Sequence, residues 1–281
     1  MLDHRIVTFL KLCELMNYRK TAEDLLMTQP AVTQHIHYLE KEYGCKLFEY
    51  NGRVLSKTRE CLALEEHSRS VLYNEMMFRE NLRKKSVIKL AVGATKTIGD
   101  YTIEKKVMEL LKRDDVELEL IIDNTVNLFA ELNALHLDFL LIEGFFDKGS
   151  YGSELIKKEE LVGICAPDHP FAGKTVPLDD IFSEHIIFRE AGSGTRAVFE
   201  GFLHEQGYLP EHFRKKSVIS SFKLIEKAVL QNGCISFVYE SIPKDSTAPA
   251  TFHIREGRIF HEYNYVFLKN TDVSTYLELL K

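Results

Sequence analysis

Two short stretches of this 281-residue chain gather side chains that can do chemistry. The first is Gly192-Ser193-Gly194-Thr195, with Arg189 before it and Arg196 after it. It follows a predicted strand, His185 to Arg189, and opens a predicted helix, so two hydroxyls, unpaired backbone N–H groups and the positive end of a helix converge beside a guanidinium. That equipment holds an anion. Ser220-Ser221, ahead of a helix at Phe222, offers a second helix start in the same lobe. Thr95 and Thr97, with Asn124 at a later helix start, supply donors from a facing lobe. An ordinary Gly-Ser cap at a tight turn is the competing reading. A nucleophilic Ser193 is not supported, because the Gly-x-Ser-x-Gly elbow is missing and no histidine stands out as its base.

The second stretch runs from Thr28 to Glu42. Thr28 can cap a helix and Pro30 fits the first turn, so a helix is predicted from about Gln29 to Tyr43. At about 100° per residue, Val32, Ile36, Leu39 and Tyr43 form an apolar stripe. Pro30, Thr33, Gln34, His37 and Lys41 gather opposite, and their hydroxyl, amide and imidazole groups are of the kind that reach base edges and phosphates in a DNA major groove. A solvated surface helix would also have a polar outer face. What precedes it favours DNA: Tyr18 to Leu26 forms a short amphipathic helix with small Ala22 at a close approach, and Met27-Thr28 allow only a tight turn. Two helices joined this way fit a helix-turn-helix.

Those elements must be positioned by the rest of the chain. Ile6, Phe9, Leu12, Cys13 and Met16 mark a scaffold helix before the pair. After it, Gly44 stops the helix, Lys46 to Tyr50 is extended, and Asn51-Gly52 turns a hairpin into Arg53-Val54-Leu55, a wing. From about Thr58 to Lys84 neither Gly nor Pro occurs, which predicts one long helix with an imperfect heptad at Leu64, Val71 and Phe78, with Leu82 four beyond. That helix packs either on its own domain or against a second copy, and Arg83-Lys84-Lys85 reads as solvated linker. Composition then shifts at Val87. Strands near Val87–Gly93, Val116–Ile122, Asp138–Glu143, Leu161–Ala166, His185–Arg189, Ser217–Ser220 and Cys234–Val238 alternate with helices or turns, and a mostly parallel sheet in two α/β lobes is expected. Tyr263 to Leu268 and Val273 to Leu280 return to the first lobe in this reading. Open α/β sheets bind ligands at strand C-terminal ends, so the cleft between lobes is the expected site.

Composition bounds the partners. Hydrophobic residues at 45% and charged ones at 28% are those of a soluble globular protein. No run approaches the roughly 18 to 20 apolar residues of a membrane span, and Met-Leu-Asp-His-Arg is not a signal peptide, so a cytoplasmic location is expected. Five scattered cysteines without CxxC or paired His spacing imply reduced thiols and no zinc site; no cofactor is expected. Residues 1 to 60 hold nine Lys and Arg against eight Asp and Glu, while the whole chain carries −6. DNA affinity then depends on placement of Arg19, Lys20, Arg53 and Lys57, on helix ends and on a second copy of the domain.

These residues resemble the LysR-type transcriptional regulators over essentially the whole chain. The resemblance rests on Thr21-Ala22, Thr28-Gln29-Pro30-Ala31-Val32-Thr33, Leu39-Glu40, Gly44, Leu47-Phe48-Glu49 and, more loosely, Leu55-Ser56. It implies a bacterial regulator with a winged helix-turn-helix at 1–57, a dimerising linker helix at 58–86 and a two-lobed sensor like type-2 periplasmic binding proteins at 87–281. Lobe I is expected at about 87–160 and 240–281, lobe II at about 161–239. The implied partners are double-stranded DNA, through Arg19, Lys20, Thr28, Gln29, Pro30, Thr33, Gln34, His37 and Arg53, and further copies in a homodimer or homotetramer. Gly93-Ala94-Thr95-Lys96-Thr97-Ile98-Gly99 and Arg189-Glu190-Ala191-Gly192-Ser193-Gly194-Thr195-Arg196 resemble a branch associated with small anions, sugar phosphates or small carboxylates. Thr95, Thr97, Asn124, Arg189, Ser193, Gly194, Thr195, Arg196 and Ser220 are its expected effector contacts. Tyr50 stands where the family usually has Arg, Gln34 and His37 replace commonly basic positions, and Thr58-Arg59 replace Ala-Gly. Each lost cation removes a phosphate contact, so weak or narrowly specific DNA binding is expected. A ligand sensor whose DNA domain has become an oligomerisation module is the alternative; an enzyme is not expected.

Overall fold

The computed structural model describes residues 3–82, 87–242 and 248–281. The chain divides into two compact units, Met1–Lys85 with Leu268–Asp272, and Ser86–Phe267 with Val273–Lys281. The basic run Arg83-Lys84-Lys85 lies outside the described residues.

In the first unit, α1 (His4–Leu15), α2 (Tyr18–Asp24) and α3 (Gln29–Tyr43) precede a hairpin of β1 (Phe48–Asn51) and β2 (Val54–Lys57), then the long α4 (Arg59–Leu82). Each of the first three helices starts on a side-chain cap: Asp3 accepts from the Arg5 N–H, Asn17 from Lys20 and Thr28 from Ala31. Phe9 and Leu12 of α1, Ile36 and Leu39 of α3, Leu47 and Cys61 close one core. Tyr43, placed on the apolar stripe by its spacing, is instead exposed: it ends α3 where Gly44, at φ +66°, turns the chain away. The seven-residue series on α4 splits likewise, with Leu64 buried in the core while Phe78 and Leu82 are exposed.

The second unit contains β3 (Ile88–Thr95), a π-helical turn at Ile98–Thr102, α5 (Glu104–Leu110), β4 (Val116–Asp123), α6 (Thr125–Asn133), β5 (Phe139–Glu143) and β6 (Tyr151–Cys165). After these come β7 (Thr175–Val176), α7 (Leu178–Ile181), β8 (His185–Phe188), α8 (Gly194–Glu205), β9 (Lys215–Val218), α9 (Phe222–Asn232), β10 (Ile235–Tyr239), β11 (Ala250–Ile254), β12 (Ile259–Leu268) and α10 (Ser274–Leu277). Hydrogen bonding orders the strands β4-β3-β5-β12-β6-β10-β8-β9. The outer groups are parallel, β3 with β4 and β5, and β8 with β9 and β10. Between them β12 runs antiparallel to β5, and β6 antiparallel to β10.

The sheet is therefore mixed, where the strand-helix alternation predicts a mostly parallel one. The difference comes from β6, whose stretch before Leu161 carries Glu154 and Lys157-Lys158-Glu159-Glu160 and lacks the apolar run of a buried strand. The chain after Tyr239 also does not all return to the first lobe. β11 pairs with β6 and β7, and Phe252 packs against Phe171 and Phe237, because this stretch completes the aromatic core of the second lobe. Among the described residues no helix is long and apolar enough to cross a membrane, and all five cysteines are free thiols.

Candidate functional site

The helix-turn-helix face is assembled on the outer side of α3. Gln29, Pro30, Gln34 and His37 are exposed, while Thr33 is half-buried and donates its hydroxyl to the Gln29 carbonyl at 3.1 Å. Thr28 is spent on the cap, its oxygen 3.4 Å from the Ala31 nitrogen. Arg53 is exposed beside the hairpin turn, where Gly52 has φ +66°. The cations divide. Arg19 pairs with Glu23 at 2.9 Å and Lys57 with Glu65 at 2.7 Å, whereas Lys20 and Arg53 enter no ion pair among the described residues. Glu40, on the inner side, accepts from the Leu47 N–H and from Lys46, which ties α3 to the hairpin. His35 points inward, its Nδ1 2.9 Å from the Thr8 hydroxyl, and burial lowers its affinity for a proton.

The second site lies where the two lobes of the second unit meet, at the C-terminal ends of β3, β5 and β8. Ser193 caps α8, accepting from the Arg196 N–H, which leaves the Gly194 and Thr195 N–H groups outside the helix's own bonds. Thr195 and Thr97, from opposite lobes, bring their hydroxyl oxygens to 3.4 Å, and both are buried. Asn124 caps α6 and faces Gly192: a Cβ added at Gly192 would stand 3.9 Å from the Asn124 amide carbon. Thr95 donates its hydroxyl to the carboxylate of Glu143.

Arg189 is 4% exposed and lies 4.1 Å over the Phe222 ring. Its fork engages Glu190 through Nε at 2.9 Å and one terminal nitrogen at 3.2 Å, while Nη1 is buried without a partner among the described residues. Lys96, from the opposite lobe, reaches the same Glu190 carboxylate at 3.0 Å. These two cations hold Glu190 below the usual carboxylate range despite its burial. Glu143 is the opposite case: burial pushes it up to about 7, against the Thr95 and Thr97 hydroxyls and the Arg189 charge, which pull it down.

The structure thus brings Thr95, Thr97, Asn124, Arg189, Ser193, Gly194 and Thr195 to one junction. Arg196 serves the framework instead, bonding Glu200 at 2.7 Å and the Arg189 carbonyl at 3.2 Å. Ser220 is exposed, and the cap of α9 is its neighbour Ser221, whose oxygen accepts from Leu224. Lys96, Glu143 and Glu190 escaped the sequence reading. The signal for Glu143 was present, a lone acid ending the apolar run Phe139-Leu140-Leu141-Ile142; Lys96 and Glu190 sat inside the motifs already quoted.

Comparison with known proteins agrees with both halves. Residues 4–62 match the model of the bacterial regulatory helix-turn-helix protein, lysR family, and residues 88–272 that of the LysR substrate binding domain. The chain is 29% identical over 241 residues to the HTH-type transcriptional regulator CysL of Bacillus subtilis, covering 84% of this chain and 79% of that one. It is 28% identical over 200 residues to a RuBisCO operon transcriptional regulator of Allochromatium vinosum, covering 70% and 66%. Among solved structures, a full-length OxyR point variant from Pseudomonas aeruginosa superposes with a TM-score of 0.63 at 18% identity, over 100% of this chain and 93% of that one, a likeness of fold. The chain belongs to the LysR family of DNA-binding transcriptional regulators, in which a helix-turn-helix domain is joined to an effector-binding domain.

Proposed function

We propose that this regulator answers to a small anion held at the junction of its sensor lobes, and that its Gly-Ser-Gly-Thr-Arg loop belongs to an anion-sensing branch of the family. The observation that carries this reading is the buried Arg189 guanidinium, whose Nη1 lacks a partner among the described residues in the cleft that also holds the uncommitted N–H groups of α8. Thr95, Thr97 and Asn124 would contribute from lobe I; Ser193, Gly194 and Thr195 from lobe II. Replacing Ser193 and Thr195 together by Ala should abolish the rise in melting temperature that the effector gives, and unchanged stabilisation would refute the assignment.

In the same reading Gln29, Thr33, Gln34 and His37 face bases, Lys20 and Arg53 contact phosphates with Arg19, and Thr28 and Pro30 set the entry of α3. The domain limits 1–57, 58–86 and 87–281 belong to it too. Exposed Met76, Phe78 and Leu82 on α4 support a homodimer or homotetramer, which would supply the affinity one weakly basic domain lacks. Effector and DNA must then change each other's affinity by the same factor. A mobility shift on the DNA upstream of the protein's own gene, with and without effector, tests the whole arrangement.

A further inference from the structure

The charges at the lobe junction do not leave an anion a simple place. Arg189 and Lys96 are the cations there, and both already pair with the Glu190 carboxylate, with only the Arg189 Nη1 left without a partner among the described residues. A second acid, Glu143, is 2% exposed and takes a hydrogen bond from Thr95, but no cation reaches it within ion-pair distance among the described residues. The groups that act on it are Thr95 at the end of β3, Thr97 just beyond, Arg189 after β8, Tyr239 on β10 and Tyr263 on β12; Lys96 and Glu190 are paired with each other, and Glu159 on β6 acts on the two tyrosines. Tyr239 is fully buried and its hydroxyl has no partner among the described residues. Phenols can donate hydrogen bonds, yet they cancel no charge.

An anion entering this junction would therefore meet a buried carboxylate that Arg189 offsets only from beyond ion-pair distance. A like charge brought near a buried carboxylate favours its protonated form. We propose that Glu143 sets the form in which the effector is accepted: the site takes the oxyanion or carboxylate of a small acid together with one proton, carried on Glu143. Protonated, Glu143 repels nothing and its O–H becomes a further donor in the cleft. The elevated proton affinity that burial confers on Glu143 places this exchange near neutral pH. The inference rests on the anionic reading of the effector and adds the proton to it.

The test uses the full-length protein with sodium sulfate as probe, an anion whose charge is constant from about pH 6 to about pH 9. Calorimetric titration should show affinity falling about tenfold per pH unit above neutrality. Heats compared at about pH 8, above the exchange, across buffers of different ionisation enthalpy should show about one proton taken up per sulfate. Glu143→Gln, with melting measured to establish that it folds, should bind sulfate without pH dependence and without proton uptake. Sulfate binding to the wild type at about pH 8 with no proton uptake overturns the proposal and leaves the anionic reading standing. Proton uptake that persists in Glu143→Gln also overturns it. Absence of sulfate binding at every pH overturns the anionic reading, and this proposal falls with it.

Discussion

Gly194 begins α8 with its backbone against the carbonyl oxygen of Glu143, the last residue of β5, so closely that a Cβ at position 194 would overlap that oxygen; the Gly194 Cα would meet a Cβ added at Gly144 at 3.0 Å. The first turn of a helix in one lobe is thus in direct backbone contact with a strand end in the other. Gly194→Ala should force the two apart, at a cost of about 1 to 3 kcal/mol in the range of overpacked cores. Thermal melts should show a lower transition and a smaller rise on adding effector. A variant that melts like wild type would mean the contact is not kept in solution.

Glu143 makes the stability of the sensor depend on pH. Its carboxyl holds a proton up to about 7 in the folded chain, against an ordinary value of 4.5 when unfolded. Below the lower value both states are protonated, and the fold has its full stability. As pH rises from there the unfolded chain releases a proton that the folded chain keeps, so stability falls until the folded carboxyl ionises near neutrality, and then levels. The total loss is about 3 kcal/mol. Urea melts of wild type and Glu143→Gln across this window should differ by that slope, flatter in the variant.

Thr28→Ala removes the oxygen that caps α3. A lost cap costs about 1 kcal/mol, and the first turn of α3 carries Gln29 and Pro30 toward DNA. Lower urea stability and weaker DNA binding are expected together, with both recovered in Thr28→Ser. Weaker binding without any stability change would instead make Thr28 a direct DNA contact.

The DNA face should show a shallow dependence on salt. Arg19 and Lys57 already have carboxylate partners, which leaves Lys20 and Arg53 as the cations of this set free of ion pairs among the described residues. Replacing either by Ala should reduce the slope of log affinity against log salt by about 0.9, and Gln34→Arg should raise it by a similar amount. Filter-binding titrations at several salt concentrations measure both; a steep wild-type slope with tight nonspecific binding would count against the expectation.

Much of this was legible because local physics decides it. Thr28, Pro30 and Gly44 mark the ends of α3 by capping and dihedral preference alone, and the spacing of Val32, Ile36 and Leu39 identifies its buried face. Ser193 as a helix cap followed from its place between a strand and a helix. Long-range pairing was not legible in this way. The charged stretch of β6 before Leu161 and the return of β11 to the second lobe depend on partners far along the chain, so no local pattern records them.

The sequence by itself determined the helix-turn-helix, the wing, the alternation of strand and helix in the sensor, and the loop rich in donors at Ser193. Only the tertiary structure decided what that loop faces. It set Thr195 beside Thr97, committed Glu190 to both Arg189 and Lys96, and buried Glu143 where no cation among the described residues reaches it. The reason is physical: capping and periodicity act within a few residues, whereas burial, and the charge balance it enforces, belongs to elements that meet only when the chain is folded.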